Sequence, residues 1–199
     1  MDKIKISLRL LILFFFSSFT TNSFANLSVD FINKITSEAS NILTSEETKE
    51  FKIIKLIKIG EESVDIDGIG LYTLGKYRKS LNDTDQKEYK KTFREYFLKS
   101  FSNRLVEYKE AKIVVISHEV KNNNYTIVKS KLLATSDRPE ISIDWRVYTK
   151  DPSNPLIRDL IIEGLSLART QREEFNSIIM NNDGDINALI SSLKDFNKK

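Results

Sequence analysis

The residues able to do chemistry are few and poorly grouped. His118 is the only histidine and there is no cysteine, so zinc sites of the usual His/Cys kind are excluded by inventory. A Ser-His-Asp triad would have to use His118, which falls mid-strand by pattern, and no G-x-S-x-G elbow accompanies it. The loop around Asn181-Asn182-Asp183-Gly184-Asp185 suggests calcium. Placing Gly184 at the sixth position of a calcium loop, however, puts Ile179 first and Ile190 twelfth, where carboxylates are needed. Gly68, Gly70 and Gly75 cluster without P-loop spacing or a following Gly-Lys-Ser/Thr. Asp65 and Asp67 could pair as acid and base, but an Asp at a helix start is ordinarily a cap. Asp144, Asp159 or Glu163 could serve as one buried base in an apolar pocket, and spacing does not select among them. The inventory points to binding rather than catalysis, with a cavity enzyme as the alternative.

The amino terminus sets the expected compartment. Lys3, Lys5 and Arg9 precede an apolar run from Leu8 to Phe16, and Ser23-Phe24-Ala25 gives a small-x-small end. That is the pattern of a secretory signal peptide, cleaved after Ala25. The run is shorter than the roughly 20 residues that span a bilayer. Removing residues 1–25 takes away three basic residues and one acid, which lowers the net charge from +3 to +1. No basic stripe remains to neutralise phosphates, which excludes nucleic acid as a partner. Residues 26–199 fit one domain with a sizeable core.

Periodicity then divides the chain. Val29, Ile32, Ile35, Ala39, Ile42 and Leu43 recur at helical spacing, and Thr44 with Glu47 reads as the capping box of a second helix. On that helix Lys49, Lys52, Lys55 and Lys58 form either a solvated face or a contact for an acidic surface. Asp83, with Gln86, opens a long helix whose stripe is Tyr89, Phe93, Tyr96, Phe97, Phe101, Leu105 and Tyr108. So many rings with little aliphatic filler form either a core face or the wall of a ligand cavity. From Lys112 the period falls to two, predicting strands over 113–120, 125–135, 141–150 and 156–163. Ile141, Ile143, Trp145 and Val147 share one face of the third strand, opposite Ser142, Asp144, Arg146 and Tyr148. Short connections imply an antiparallel meander. Helices over 166–181 and 186–196 follow, separated by Asn182-Asp183-Gly184. The fold class is therefore α+β: a four-stranded antiparallel sheet covered by N-terminal and C-terminal helices that enclose an apolar cavity, an NTF2-like cone.

Four blocks resemble one family. They are Asp65 with Leu74-Gly75-Lys76-Tyr77; Phe93-Arg94-Glu95-Tyr96 with Tyr108; Asp159-Leu160-Ile161-Ile162-Glu163-Gly164-Leu165-Ser166-Leu167 with Arg172 and Phe175; and Gly184-Asp185-Ile186 with Leu189, Ile190 and Leu193. In order and spacing they are similar to the MlaC family of periplasmic phospholipid-shuttle proteins, the toluene-tolerance auxiliary component of an ABC transporter. Arg78 stands where that family usually has a second aromatic, and Pro155-Leu156-Ile157-Arg158 where it often has W-K-x-Y.

The resemblance implies a soluble, non-catalytic carrier without cofactor that buries phospholipid acyl chains between sheet and helices. Its implied partners are phospholipid, an inner-membrane ABC transporter complex with an MCE-type lipid-binding subunit, and an outer-membrane lipoprotein/porin complex. The implied role is to maintain outer-membrane lipid asymmetry; the alternative is a periplasmic cavity enzyme or a carrier of another hydrophobic molecule, such as a hopanoid. Burial is worth about 0.8 kcal/mol per CH₂, so exposing a chain of roughly 16 carbons costs about 13 kcal/mol. Periodicity assigns the cavity wall to Leu74, Tyr77, Phe93, Phe97, Phe101, Ile143, Trp145, Ile161 and Leu165. Glu163 and Arg172 are expected to hold the strand-to-helix corner, with contact to a lipid headgroup as the alternative.

Overall fold

The computed structural model describes residues 20–108 and 112–199, with side chains from residue 27 onward. Residues 1–19 of the expected export signal lie outside the described residues. Helix α1, Thr20–Thr44, buries Ile32, Ile35 and Leu43 at helical spacing. Thr44 ends it rather than capping the next helix, because its hydroxyl donates back to the Ser40 carbonyl at 2.9 Å. Thr48 instead caps α2, Lys49–Ser63, and its hydroxyl accepts from Phe51 N–H at 3.3 Å. Asp65 caps α3, Ile66–Thr73, by accepting from Gly68 N–H at 2.9 Å, as the sequence predicts. A 3₁₀ turn, Gly75–Lys79, leads to α4, Asp83–Leu105. Its cap is Asn82, which accepts from Asp85 N–H at 2.9 Å, so the expected Asp83–Gln86 box is displaced by one residue.

Strands β1 (Ile113–Asn122), β2 (Tyr125–Leu132), β3 (Ile141–Tyr148) and β4 (Leu156–Ile162) form the predicted meander. A fifth strand, β5, Leu165–Ser166, is added to the four expected. It folds back on Ile161 and Ile162 across Glu163 and Gly164, whose φ angles of 49° and 82° are those of a type I′ hairpin turn. Glu163 holds this left-handed conformation because its N–H donates to the Ser142 carbonyl at 3.1 Å and its carboxylate accepts from Ser142 N–H. Helices α5, Leu167–Met180, and α6, Ile186–Lys198, close the chain and are capped by Ser166 and Asp185.

The register defines two sheet faces. Ile143, Trp145 and Val147 of β3 stand beside Ser130, Val128 and Thr126 of β2, all of them buried. Helix α1 covers the β1–β2 side of this inner face, while α3 and α5 meet β4. Helix α4 packs on α2, α3 and α6. The core is one cluster that joins all these elements between sheet and helices. No helix among the described residues is long and apolar enough to cross a membrane.

Candidate functional site

The interior is built around Phe93. Its ring centre lies 5.7 Å from Tyr89, 6.2 Å from Tyr96, 6.1 Å from Phe97 and 6.1 Å from Phe175. Helical spacing on α4 supplies three of these neighbours, and α5 brings Phe175 edge-on at 90°. Gly70 of α3 lets the ring approach, since a Cβ there would stand 2.7 Å from Phe93 Cδ1. The Tyr89 hydroxyl donates to the Gly70 carbonyl at 3.1 Å and lies 2.9 Å from Thr73 Oγ1, so this buried phenol is satisfied. Burial pushes its pKa well above the ordinary tyrosine value, and Tyr96 shifts upward for the same reason, reinforced by Glu174.

From the sheet, Trp145 Nε1–H donates to Ser130 Oγ at 2.8 Å, and Ser130 donates in turn to the Ile143 carbonyl at 3.0 Å. The indole therefore lies against the inner face with its polar edge satisfied. Leu74, Phe93, Ile143 and Trp145 belong to the buried cluster, and Tyr77 and Phe97 pack against it. Six of the nine residues expected at the wall thus meet in one apolar interior.

Three do not. Phe101 stacks on Phe97 at 5.9 Å and lies against Gly60 of α2, to one side of the cluster. Ile161 pairs with Asp144 and so points to the outer face. The reason is a bulge: Arg146 pairs with Asp159 and Val147 with Ile157, leaving Arg158 as an extra residue that reverses the alternation. Ile157, Leu160 and Ile162 are the inward residues of β4. Leu165 is 69% exposed beside the hairpin turn.

Of the two residues expected to hold the corner, Glu163 ties the turn to Ser142, and Arg172 makes its contacts elsewhere. Arg172 lies over Gly75, with Nε 2.9 Å from where a Cβ would be and the guanidinium carbon 5.2 Å from the Tyr72 ring centre. Asp159 holds the start of α5 at the same corner. Its buried carboxylate accepts from Ser166 Oγ at 2.6 Å and from Ala168 N–H at 3.0 Å, with Arg146 3.9 Å away. It thereby satisfies an orphan amide of α5 from a neighbouring strand. Asp144 lies on the outer face and Glu163 in the turn, whereas Asp159 is buried at the start of α5 with both carboxylate oxygens bonded. His118 is exposed on the edge strand.

Arg158 is the residue that sequence reasoning missed. Its Nε–H donates to Asp65 at 2.5 Å and its Nη1–H to the Tyr125 hydroxyl at 2.6 Å, while the guanidinium carbon lies 3.4 Å from the Tyr148 ring centre. Burial opposes its charge, but the bonds to Tyr125 and Asp65 outweigh that and raise its pKa further. With the backbone bond from Asp65 N–H to the Ile157 carbonyl at 2.9 Å, it fastens β4 to the start of α3.

Two surface depressions lie outside the interior. One, of about 480 Å³, is lined by Glu61, Glu62, Asp65, Asp67, Arg94 and Asn154 among others. The other, of about 560 Å³, involves Asn103, Arg104, Glu107, Tyr108 and Phe196. Among the described residues no group of three or more His, Asp or Glu side chains could hold a metal ion.

In backbone course the chain is similar to the phospholipid-binding protein from Ralstonia solanacearum, solved in complex with a phospholipid. The TM-score is 0.71 at 13% identity, over 85% of this chain and 96% of that one. No curated protein matches the sequence. The family described as MlaC protein matches residues 32–195, from the middle of α1 into α6. That span takes in the inner sheet face, the Phe93 hub and the Asp159 corner, and the chain belongs to the MlaC family.

Proposed function

We propose that this protein is an exported, non-catalytic carrier that takes up phospholipid between its inner sheet face and the α3–α4–α5 helical layer. The observation that carries this reading is the single apolar cluster that joins Ile143, Trp145 and Val147 to Leu74, Phe93 and Phe175. It occupies the space between sheet and helices in a fold similar to that of a solved phospholipid-binding protein. Acyl chains gain about 25 cal/mol for each Å² of apolar surface removed from water, so such an interior can offset the cost of carrying them through an aqueous phase. On this wall the Trp145 indole N–H and the Ser130 hydroxyl are paired with each other and with the Ile143 carbonyl, while the buried Thr126 hydroxyl beside Val147 has no partner. No bond needs to be made or broken, in keeping with carboxylates that serve as caps and ties rather than as acids or bases. Membership of the MlaC family supports the periplasm as the compartment. It also supports exchange with an inner-membrane ABC transporter complex and an outer-membrane lipoprotein complex.

The test is transfer. Donor vesicles containing a fluorescent, self-quenched phospholipid are separated from acceptor vesicles by a membrane that passes only protein. A carrier moves fluorescence to the acceptor in proportion to its concentration. Transfer no faster than buffer alone, with the fold intact by circular dichroism, would overturn the proposal.

A further inference from the structure

The corner where the 3₁₀ turn meets α5 gathers positive charge without neutralising it. Gly75 adopts φ +56°, and Arg172 lies directly against it. This contact brings the arginine flank of α5, Arg169 and Arg172 at i and i+3, alongside Lys76, Arg78 and Lys79 of the turn. All five are exposed. Among the described residues none of the five forms an ion pair. The lysine row of α2 behaves differently: Lys49, Lys55 and Lys58 pair with Glu107, Glu47 and Glu62. That row is a solvated face, and the corner is a charge excess on a chain whose net charge is only +3.

We propose that this corner docks the protein on the surface of an anionic phospholipid bilayer. Charge complementarity requires an anionic partner, and the chemistry of the corner favours lipid over protein. The cores of stable protein interfaces are depleted of charged residues, whereas this corner gathers five cations. Here the exposed ring is Tyr72, 38% exposed beneath Arg172, an amphipathic side chain of the type that sits at headgroup level. Cations on long side chains suffice for a membrane surface, where each strengthens binding about five-fold and the effect decays within a Debye length. The turn also faces inward: Leu74 is buried and Tyr77 packs on the core between the exposed Lys76 and Arg78. Docking here places one wall of the interior against the bilayer. The inference concerns the exposed cations of this corner and does not rest on the carrier reading.

The experiment is co-sedimentation of the purified protein with vesicles of phosphatidylcholine alone or mixed with phosphatidylglycerol, at low and high salt. Binding is expected only to the phosphatidylglycerol vesicles and is expected to be lost at high salt. The double substitution Arg78→Gln and Lys79→Gln should weaken it about 25-fold, whereas Lys55→Gln with Lys58→Gln should leave it unchanged. All four positions are solvent-facing, and a melting curve confirms the fold of each variant. Equal binding to both kinds of vesicle, or equal loss in both double variants, would overturn the inference. Absence of binding to phosphatidylglycerol vesicles would also overturn it, leaving the corner to an acidic protein. Lipid transfer is measured separately, so failure of docking and failure of carriage are distinguishable.

Discussion

Replacing Gly70 with alanine tests how tightly the helical layer is closed on Phe93. The added Cβ would stand 2.7 Å from Phe93 Cδ1 and 3.1 Å from Cε1, against about 3.5–4.0 Å for a relaxed carbon contact. The ring cannot yield freely, because it is 1% exposed and sits among the rings of Tyr89, Tyr96, Phe97 and Phe175. Overpacking of this kind costs about 1–3 kcal/mol. Alanine in place of a helical glycine returns about 1 kcal/mol, so the net effect is a loss of about 1 kcal/mol. Phe93→Ala alone should cost about 3–5 kcal/mol. In that background the clash is gone and only the helix term remains, so Gly70→Ala should stabilise by up to about 1 kcal/mol. Urea melts of the four proteins give the coupling energy, expected at about 1–3 kcal/mol. Equal effects of Gly70→Ala in both backgrounds would refute the contact.

Three further outcomes follow from the same contacts. The folded-state pKa of Tyr89 lies above its unfolded value, so its contribution to stability is complete below about pH 10 and is lost as pH rises through the folded value. The urea midpoint should fall between about pH 8 and about pH 11, and Tyr89→Phe should shrink that fall without abolishing it, because Tyr96 is shifted the same way. Asp159→Ala should cost about 3 kcal/mol through the bonds to Ser166 and Ala168, and Asp159→Asn roughly half as much; equal costs in thermal melts would contradict a charged cap. Arg158→Lys should cost about 1 kcal/mol after allowance for partial exposure, since an ammonium cannot serve Asp65 and Tyr125 together while stacking on Tyr148. A stability equal to the parent's in urea melts would remove Arg158 as a clamp.

Strong periodicity made much of the fold legible. The faces of β3 and the core position of Phe93 followed directly from alternation and helical spacing. Phe101 fell aside because steps of four residues advance about 40° beyond each turn, which carries it about 80° from Phe93. Ile161 was misplaced because a bulge leaves no mark in a run as uniformly apolar as Leu160-Ile161-Ile162; Arg158, which the β3–β4 register skips, is the extra residue. The corner at Glu163-Gly164 was legible as a turn from strand to helix, but its closing as a hairpin was not, because glutamate is not an ordinary left-handed turn residue and Ser142, distant in sequence, stabilises it there. Two helix caps slipped for a simpler reason: threonine and asparagine or aspartate recur within four residues of each start, and the competing bond that decides, such as Thr44 to Ser40, is invisible in letters. The tie of Asp65 to Arg158 joins residues 93 apart in sequence, beyond any local pattern.

Native mass spectrometry of the protein purified from bacteria without detergent tests phospholipid carriage most directly, in parallel with Trp145→Glu, which places a charge on the inner sheet face. A carrier shows a population whose added mass is that of phospholipid, identified in an organic extract, and the variant flies lipid-free while remaining folded. Folded parent protein without lipid across preparations, or a variant that loads as well as the parent, would contradict an acyl-chain site between the sheet and the helices.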